Sequence, residues 1–358
     1  MKTKCATDYW GKNTIRRIRE GYYSAVYFNR TKEMLHKDGV MTDVIMQIFQ
    51  RQNGAVLCGM HEVTELLKIG TGYWRGTTWV NCWNRLRVFS LQEGDTVNAK
   101  DSVMHIRGPY VYFAHLESLY LGILARRTMV ATNARRLVNA ASGKPVICFA
   151  DRFDHFINQE GDGYAARIGG VTGVCTQAHA SWWGGVPAGT MPHALIAIHD
   201  GSTLKSAQLF VQHFPKVPLI VLVDYENDCI KTALTVARVL KQSLWAIRID
   251  TSSDVVDVSQ KKTSASARGV TTELVQDVRK ALNQEGFSNV KMVVSGGFNQ
   301  DKIRYFENRK TPVDIYGVGS WLLKGSYDFT ADIVMVQNKR QAKVGRAYTP
   351  NNRFHLIS

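Results

Sequence analysis

The sequence predicts an α/β protein with a mixed α+β N-terminal domain over residues 1–125 and an irregular, TIM-like (β/α) barrel over 126–330. A C-terminal tail, 331–358, is expected to return to the first domain. Three observations predict this. From about residue 130, short apolar β runs alternate with segments of helical spacing, the signature of βα units and a parallel sheet. The last two β runs pass into glycine-rich turns, as strands near a barrel's phosphate site do. Asp151, Arg152, Asp224, Arg248 and Asp250 all fall at C-terminal ends of β runs, where barrel active sites form.

In chain order, residues 1–125 mix helix and strand signals. The stretch 85–113 reads as strand-rich, broken by turns at Glu93-Gly94-Asp95 and Arg107-Gly108-Pro109. Val130 to Ala141 reads as a helix stopped by Ser142-Gly143 and Pro145, before a buried strand from Val146 to Asp151. His193 to Phe214 reads as one or two helices. Strands follow at Leu219–Asp224 and Leu244–Asp250, with a helix between them marked by Ile230, Ala233, Leu234, Ala237 and Leu240. A further helix carries Leu274, Val275, Val278, Ala281 and Leu282. Val290 to Val294 runs as a strand into Ser295-Gly296-Gly297. After a short helix, Ile303 to Arg309, the strand Val313 to Tyr316 runs into Gly317-Val318-Gly319.

The chain has 358 residues and is 45% hydrophobic, enough for a large core. Its longest apolar run, Val217 to Val223, is far shorter than the ~20 residues that span a bilayer. Met1 to Tyr9 lacks the apolar centre of a signal peptide. The six cysteines form no CxxC pair and no zinc spacing, so neither disulfides nor a bound zinc is expected, and the cytoplasm is the expected compartment. The net charge is +15. Such a surface suits nucleic acid or small polyphosphates, but no zinc knuckle or aromatic RNA-binding run accompanies it. A non-catalytic, basic, nucleic-acid-binding protein is therefore the lesser reading.

Phe149 to His193 is the most informative stretch. Arg152 could clamp a carboxylate with its planar fork, or pair structurally with Asp151 or Asp154. Arg248 and Asp250 lie two residues apart and so face the same side of a strand. They could hold a phosphate and a ribose hydroxyl, or a metal, or simply pair. Gly296, Gly297, Gly317 and Gly319 could present backbone N–H groups to a phosphate, although no Walker A pattern is present. His193 follows Pro192 at an expected helix start. Neutral imidazole there could attack phosphorus, though a lone histidine is more often structural.

Together these residues resemble the nicotinate phosphoribosyltransferase family of type II phosphoribosyltransferases. Ser24-Ala25-Val26-Tyr27-Phe28 with Arg30-Thr31 resembles its N-terminal motif. Glu117-Ser118-Leu119 with Leu121-Gly122, and Thr132-Asn133-Ala134-Arg135, resemble two of its helices. Ile249-Asp250-Thr251 resembles its LDT strand, and Val294-Ser295-Gly296-Gly297 and Gly317-Val318-Gly319 its two phosphate turns. Gly189-Thr190-Met191-Pro192-His193-Ala194 is the most specific match.

The resemblance implies nicotinate and phosphoribosyl pyrophosphate as substrates, nicotinate mononucleotide and pyrophosphate as products, and Mg²⁺ and ATP as helpers, in NAD salvage. It implies that Arg152 binds the nicotinate carboxylate, and that Tyr27 of a neighbouring subunit and Phe149 flank the ring, hence at least a dimer. It gives Thr190, Arg248, Ser295 and the four glycines to substrate, Asp250 and Asp224 to catalysis, and His193 to phosphorylation by ATP. The chain differs from the family in carrying Phe153 where a second arginine is usual, and in a polar stretch, 252–268, read as a lid or an insert. Thr172 stands where nicotinamide-using relatives carry an aspartate, which favours an acid substrate over nicotinamide.

Overall fold

The computed structural model describes residues 5–189, 191–260 and 267–357. The chain divides into two compact units. One runs to Thr132 and resumes at Gly325; the other is Asn133–Lys324.

The first unit is built on a six-stranded antiparallel sheet. Its central strand, Asp43–Gln50, is flanked by Ser102–Pro109 and Phe329–Val336. Arg87–Ser90 pairs with Ser102–Pro109, and the short strands Lys339–Arg340 and His355–Leu356 close the two edges. Helix Met60–Gly70 buries Val63, Leu66, Leu67 and Gly70, a stripe at helical spacing. Its first turn is capped by the Glu93 carboxylate, which accepts the N–H groups of Gly59 and His61. The expected turn at Arg107-Gly108-Pro109 is instead the end of a strand. Gly108 serves close approach there: a Cβ would meet Arg85 O at 2.7 Å.

The second unit holds a six-stranded, wholly parallel sheet. In chain order its strands are Val146–Cys148, Gly173–Val174, Leu219–Leu222, Leu244–Ile249, Lys291–Val294 and Ile315–Val318. In space the third, fourth, fifth, sixth, first and second lie side by side. Ile147, Ile220, Ala246, Val293 and Ile315, one from each of five strands, pack into a single cluster. The sheet is curled, with this cluster on one of its faces. Among the described residues its two outer strands do not pair with each other, and the architecture is a half barrel.

The helices between the strands start where the sequence supplies caps. Thr176, Ser202, Asp228, Thr271 and Asn299 each accept a backbone N–H three residues on. The stretch His193 to Phe214 forms two helices, His193–Ile198 and Thr203–His213. The last strand begins two residues later than the apolar run predicts and continues through Gly317. Among the described residues, no helix is long and apolar enough to cross a membrane.

Candidate active site

A cavity of about 550 Å³ opens at the C-terminal ends of the six strands and is lined wholly by residues of the second unit. Each strand contributes residues at or just past its C-terminal end.

The fourth strand delivers Arg248 and Asp250. Arg248 Nη2 donates to Asp250 Oδ2 at 2.7 Å, and its Nε donates to Ser295 Oγ at 2.7 Å. The Ser295 hydroxyl donates in turn to Asp250 Oδ1 at 2.6 Å. This ring of three side chains pins a guanidinium and a carboxylate that the strand's two-residue period had already put on one face. The guanidinium also stands 4.9 Å above the Phe149 ring.

Phe149 follows the first strand and is held by its N–H to Val318 O at 2.8 Å. Gly317 makes room for its ring, since a Cβ at Gly317 would lie 2.4 Å from Phe149 Cε2. Gly319 does the same for Phe153, at 2.4 Å from that ring. Gly296 and Gly297 have φ of +89° and +67°, the left-handed region that favours glycine. Behind this turn, Lys302 Nζ donates to Gly296 O at 3.1 Å. Burial pushes its ammonium down to about 8, while Asp250 pulls the other way.

Arg152 also lines the cavity and is exposed, its guanidinium 5.7 Å from the Phe153 ring. Among the described residues, no carboxylate lies within ion-pair distance of it, so neither Asp151 nor Asp154 claims it. His193, the first residue of its helix, places Nε2 3.2 Å from Asp224 Oδ2. The Asp224 side chain is only 6% exposed, and its Oδ1 has no partner among the described residues. Burial raises its carboxyl above the usual range, His193 pulls it back, and nearby Asp250 raises it further.

The cavity thus gathers Phe149, Arg152, His193, Arg248, Asp250, Ser295, Gly296, Gly297, Gly317 and Gly319, with Asp224 bonded to His193. Thr172 is the exception. It is exposed at the opposite end of the sheet, where its N–H and hydroxyl both donate to Val146 O, at the start of the first strand. The residue of that segment that reaches the cavity is Cys175, whose thiol donates to Asp151 Oδ1 at 3.1 Å. Cys175 went unread because the strand before it, Gly173–Val174, is too short to show a period. Thr190 lies outside the described residues. Tyr27 belongs to the first unit, 64% exposed in the first turn of helix Val26–Lys37. Of the stretch 252–268, residues 261–266 also lie outside the described residues. The rest is tied down by Asp257, which is fully buried and accepts the Cys229 N–H at 2.9 Å.

One cavity in a half barrel thus holds a glycine turn, a pinned Arg–Asp–Ser ring and an arginine with no carboxylate partner among the described residues. The family model described as quinolinate phosphoribosyl transferase, N-terminal domain, matches residues 25–128. The nicotinate-nucleotide pyrophosphorylase structure from Pyrococcus furiosus superposes with a TM-score of 0.80 at 30% identity, covering 97% of this chain and 85% of that one. Mycobacterium tuberculosis nicotinate phosphoribosyltransferase pncB1 is 30% identical over 248 residues, covering 68% of this chain and 51% of that protein. Human nicotinic acid phosphoribosyltransferase, 15% identical, shares the fold with a TM-score of 0.71, over 91% of this chain and 77% of that one. The chain belongs to the nicotinate phosphoribosyltransferase family. It spans about half the length of the curated relatives it matches.

Proposed function

We propose that the chain joins nicotinate to phosphoribosyl pyrophosphate, giving nicotinate mononucleotide and pyrophosphate in NAD salvage, with ATP hydrolysis coupled through His193. The observation that carries this is Arg152: a guanidinium with no carboxylate partner among the described residues, in the same cavity as Gly296, Gly297, Gly317 and Gly319. A planar fork with no internal carboxylate suits a ligand carboxylate.

The pyridine nitrogen attacks C1 of the ribose as the bond from C1 to the pyrophosphate oxygen breaks. Arg152 holds the carboxylate and so fixes which ring edge faces C1. Phe149 supports one face of the ring, and as the ring becomes cationic an aromatic face gains attraction. Arg248, Asp250 and Ser295 bind the phosphoribosyl group, and the Gly296-Gly297 and Gly317–Gly319 turns receive its 5′-phosphate. An ionised Asp224 can only accept at the His193 Nε2 contact; in that tautomer Nδ1 keeps its lone pair and is the nitrogen that takes phosphate from ATP.

The family implies Mg²⁺. The residues fit it: Asp224 Oδ1 is a buried carboxylate oxygen without a partner among the described residues, and Mg²⁺ is usually held by one or two carboxylates plus substrate phosphates. When bound, it would neutralise the leaving pyrophosphate. Asp224 is its protein ligand in this reading, with Asp250 alongside.

The active form is a homodimer in the cytoplasm, in which Tyr27 of one copy closes over the nicotinate ring of the other. Tyr22, Tyr23, Val26 and Tyr27 are all exposed along one short segment, an apolar surface of the kind copies bury between them. A second reading, quinolinate as the base, follows the names of the matching family model and the Pyrococcus furiosus relative. The cavity favours a monocarboxylate: among the described residues its lining has two cationic side chains, Arg152 and Arg248, and the second is held by Asp250. Supplying nicotinate, nicotinamide and quinolinate separately with phosphoribosyl pyrophosphate and Mg²⁺ decides among the three. Turnover of nicotinate alone or by a wide margin is expected. Preference for either other base contradicts the reading.

A further inference from the structure

Lys302 is a cation that the reaction as described does not use. Its ammonium stands 4.4 Å from the centre of the Phe298 ring and 5.9 Å from that of Phe306. It does not line the cavity; Gly296 and Gly297 do. Its hydrogen bond goes to the carbonyl of Gly296, the peptide that joins the two glycines.

In a trans peptide the C=O and N–H point in opposite directions. With the Gly296 carbonyl bound by Lys302, the N–H of Gly297 is directed away from the lysine, and Gly297 itself lines the cavity. No acceptor among the described residues takes that N–H. Two adjacent glycines, both at positive φ, meet little steric resistance to a flip of the peptide between them. A flip would turn a carbonyl oxygen toward the cavity, where it would repel an anion. The helix Gln300–Asn308 is capped by Asn299, whose side chain accepts the Lys302 N–H at 2.8 Å, so the lysine is itself fixed at the helix start.

We propose that Lys302 is a positioning residue that locks the Gly296–Gly297 peptide with its N–H toward the cavity, so that the turn is preorganised for a phosphomonoester. This rests on the reading of the turn as a 5′-phosphate site. The lock costs nothing at the moment of binding, which is why a preformed donor outperforms one that must reorient.

The test is calorimetric titration with ribose 5-phosphate of the wild-type chain, Lys302→Met and Lys302→Arg, beside steady-state kinetics. Lys302→Met is expected to bind ribose 5-phosphate about tenfold more weakly and to raise the KM for phosphoribosyl pyrophosphate in step, the loss of about one charge-assisted contact. The KM for nicotinate should stay within about twofold, because a lost turn contact does not reach Arg152. Lys302→Arg, which keeps a charged donor able to reach the carbonyl, should recover most of the affinity. Should Lys302→Met not fold, Lys302→Gln, whose head is too short to reach, is read against Lys302→Arg in the same way. Unchanged ribose 5-phosphate affinity, an equal loss for both substrates, or no recovery with arginine overturns the proposal. The binding comparison needs no turnover, so a wild-type chain that makes no nicotinate mononucleotide sinks the proposed activity and leaves the lysine's role to be judged on affinity alone.

Discussion

His193 Nε2 lies 3.2 Å from Asp224 Oδ2, while the other oxygen of that carboxylate is buried without a partner among the described residues. The pair is therefore a histidine fixed by an acid that is itself held at a cost. Changing either residue should separate the two reactions assigned to the site. His193→Ala should abolish ATP hydrolysis and leave slow, ATP-independent synthesis. Phosphate release from ATP is the readout, and undiminished release in that variant refutes the phosphohistidine role.

Asp224→Asn should lower ATP coupling at least ~10-fold, because an amide no longer dictates the imidazole tautomer. The same change should stabilise the fold at neutral pH. The folded state raises the Asp224 carboxyl, first through burial, so its contribution is favourable at low pH and is lost as pH rises through the folded pKa. Thermal melting at pH 7.5 should show the variant ~2 °C or more above wild type, a gap that closes in acid. A lower melting temperature at pH 7.5 would mean that the ionised carboxylate is a net support.

Arg152→Ala should raise the nicotinate KM by roughly 100-fold, the scale of about two charge-assisted hydrogen bonds, with little change in the KM for phosphoribosyl pyrophosphate. An unchanged nicotinate KM would disprove the clamp.

Gly317→Ala should act on the base rather than on the phosphate. A Cβ there would sit 2.4 Å from Phe149 Cε2, within a strand that cannot retreat, so the ring must move. The nicotinate KM is expected to rise more than that for phosphoribosyl pyrophosphate. The reverse order would make Gly317 chiefly a phosphate contact.

The first unit should show its own pH dependence. Burial raises the Glu117 carboxyl to about 7, and Asp332 adds to the rise. Its folded pKa exceeds its unfolded one, so stability falls as pH climbs from the ordinary carboxylate range to about 7 and is level above that. Melting curves of Glu117→Gln between pH 4.5 and 8 should lack this decline. A decline as steep as that of wild type would assign it elsewhere.

Much of the site was legible because strands have a short, strict period. Arg248 and Asp250 had to share a face, and Gly296-Gly297 marked the turn after the fifth strand, whereas Gly317, read as part of a turn, lies inside the sixth strand, where it makes room for Phe149. Thr172 was misplaced because Gly173–Val174 has only two residues, too few to tell which end of the sheet a neighbour occupies. Cys175 and Lys302 were missed for a related reason: each matters through a tertiary contact, with Asp151 and with Gly296, that no local spacing records. Likewise, nothing local announces that Phe329–Val336 pairs with Asp43–Gln50, far away along the chain.

The central claim is tested most directly by incubating the chain with nicotinate, phosphoribosyl pyrophosphate and Mg²⁺, with and without ATP, and quantifying nicotinate mononucleotide. The account predicts its formation in both cases, faster with ATP. No nicotinate mononucleotide under either condition would contradict it.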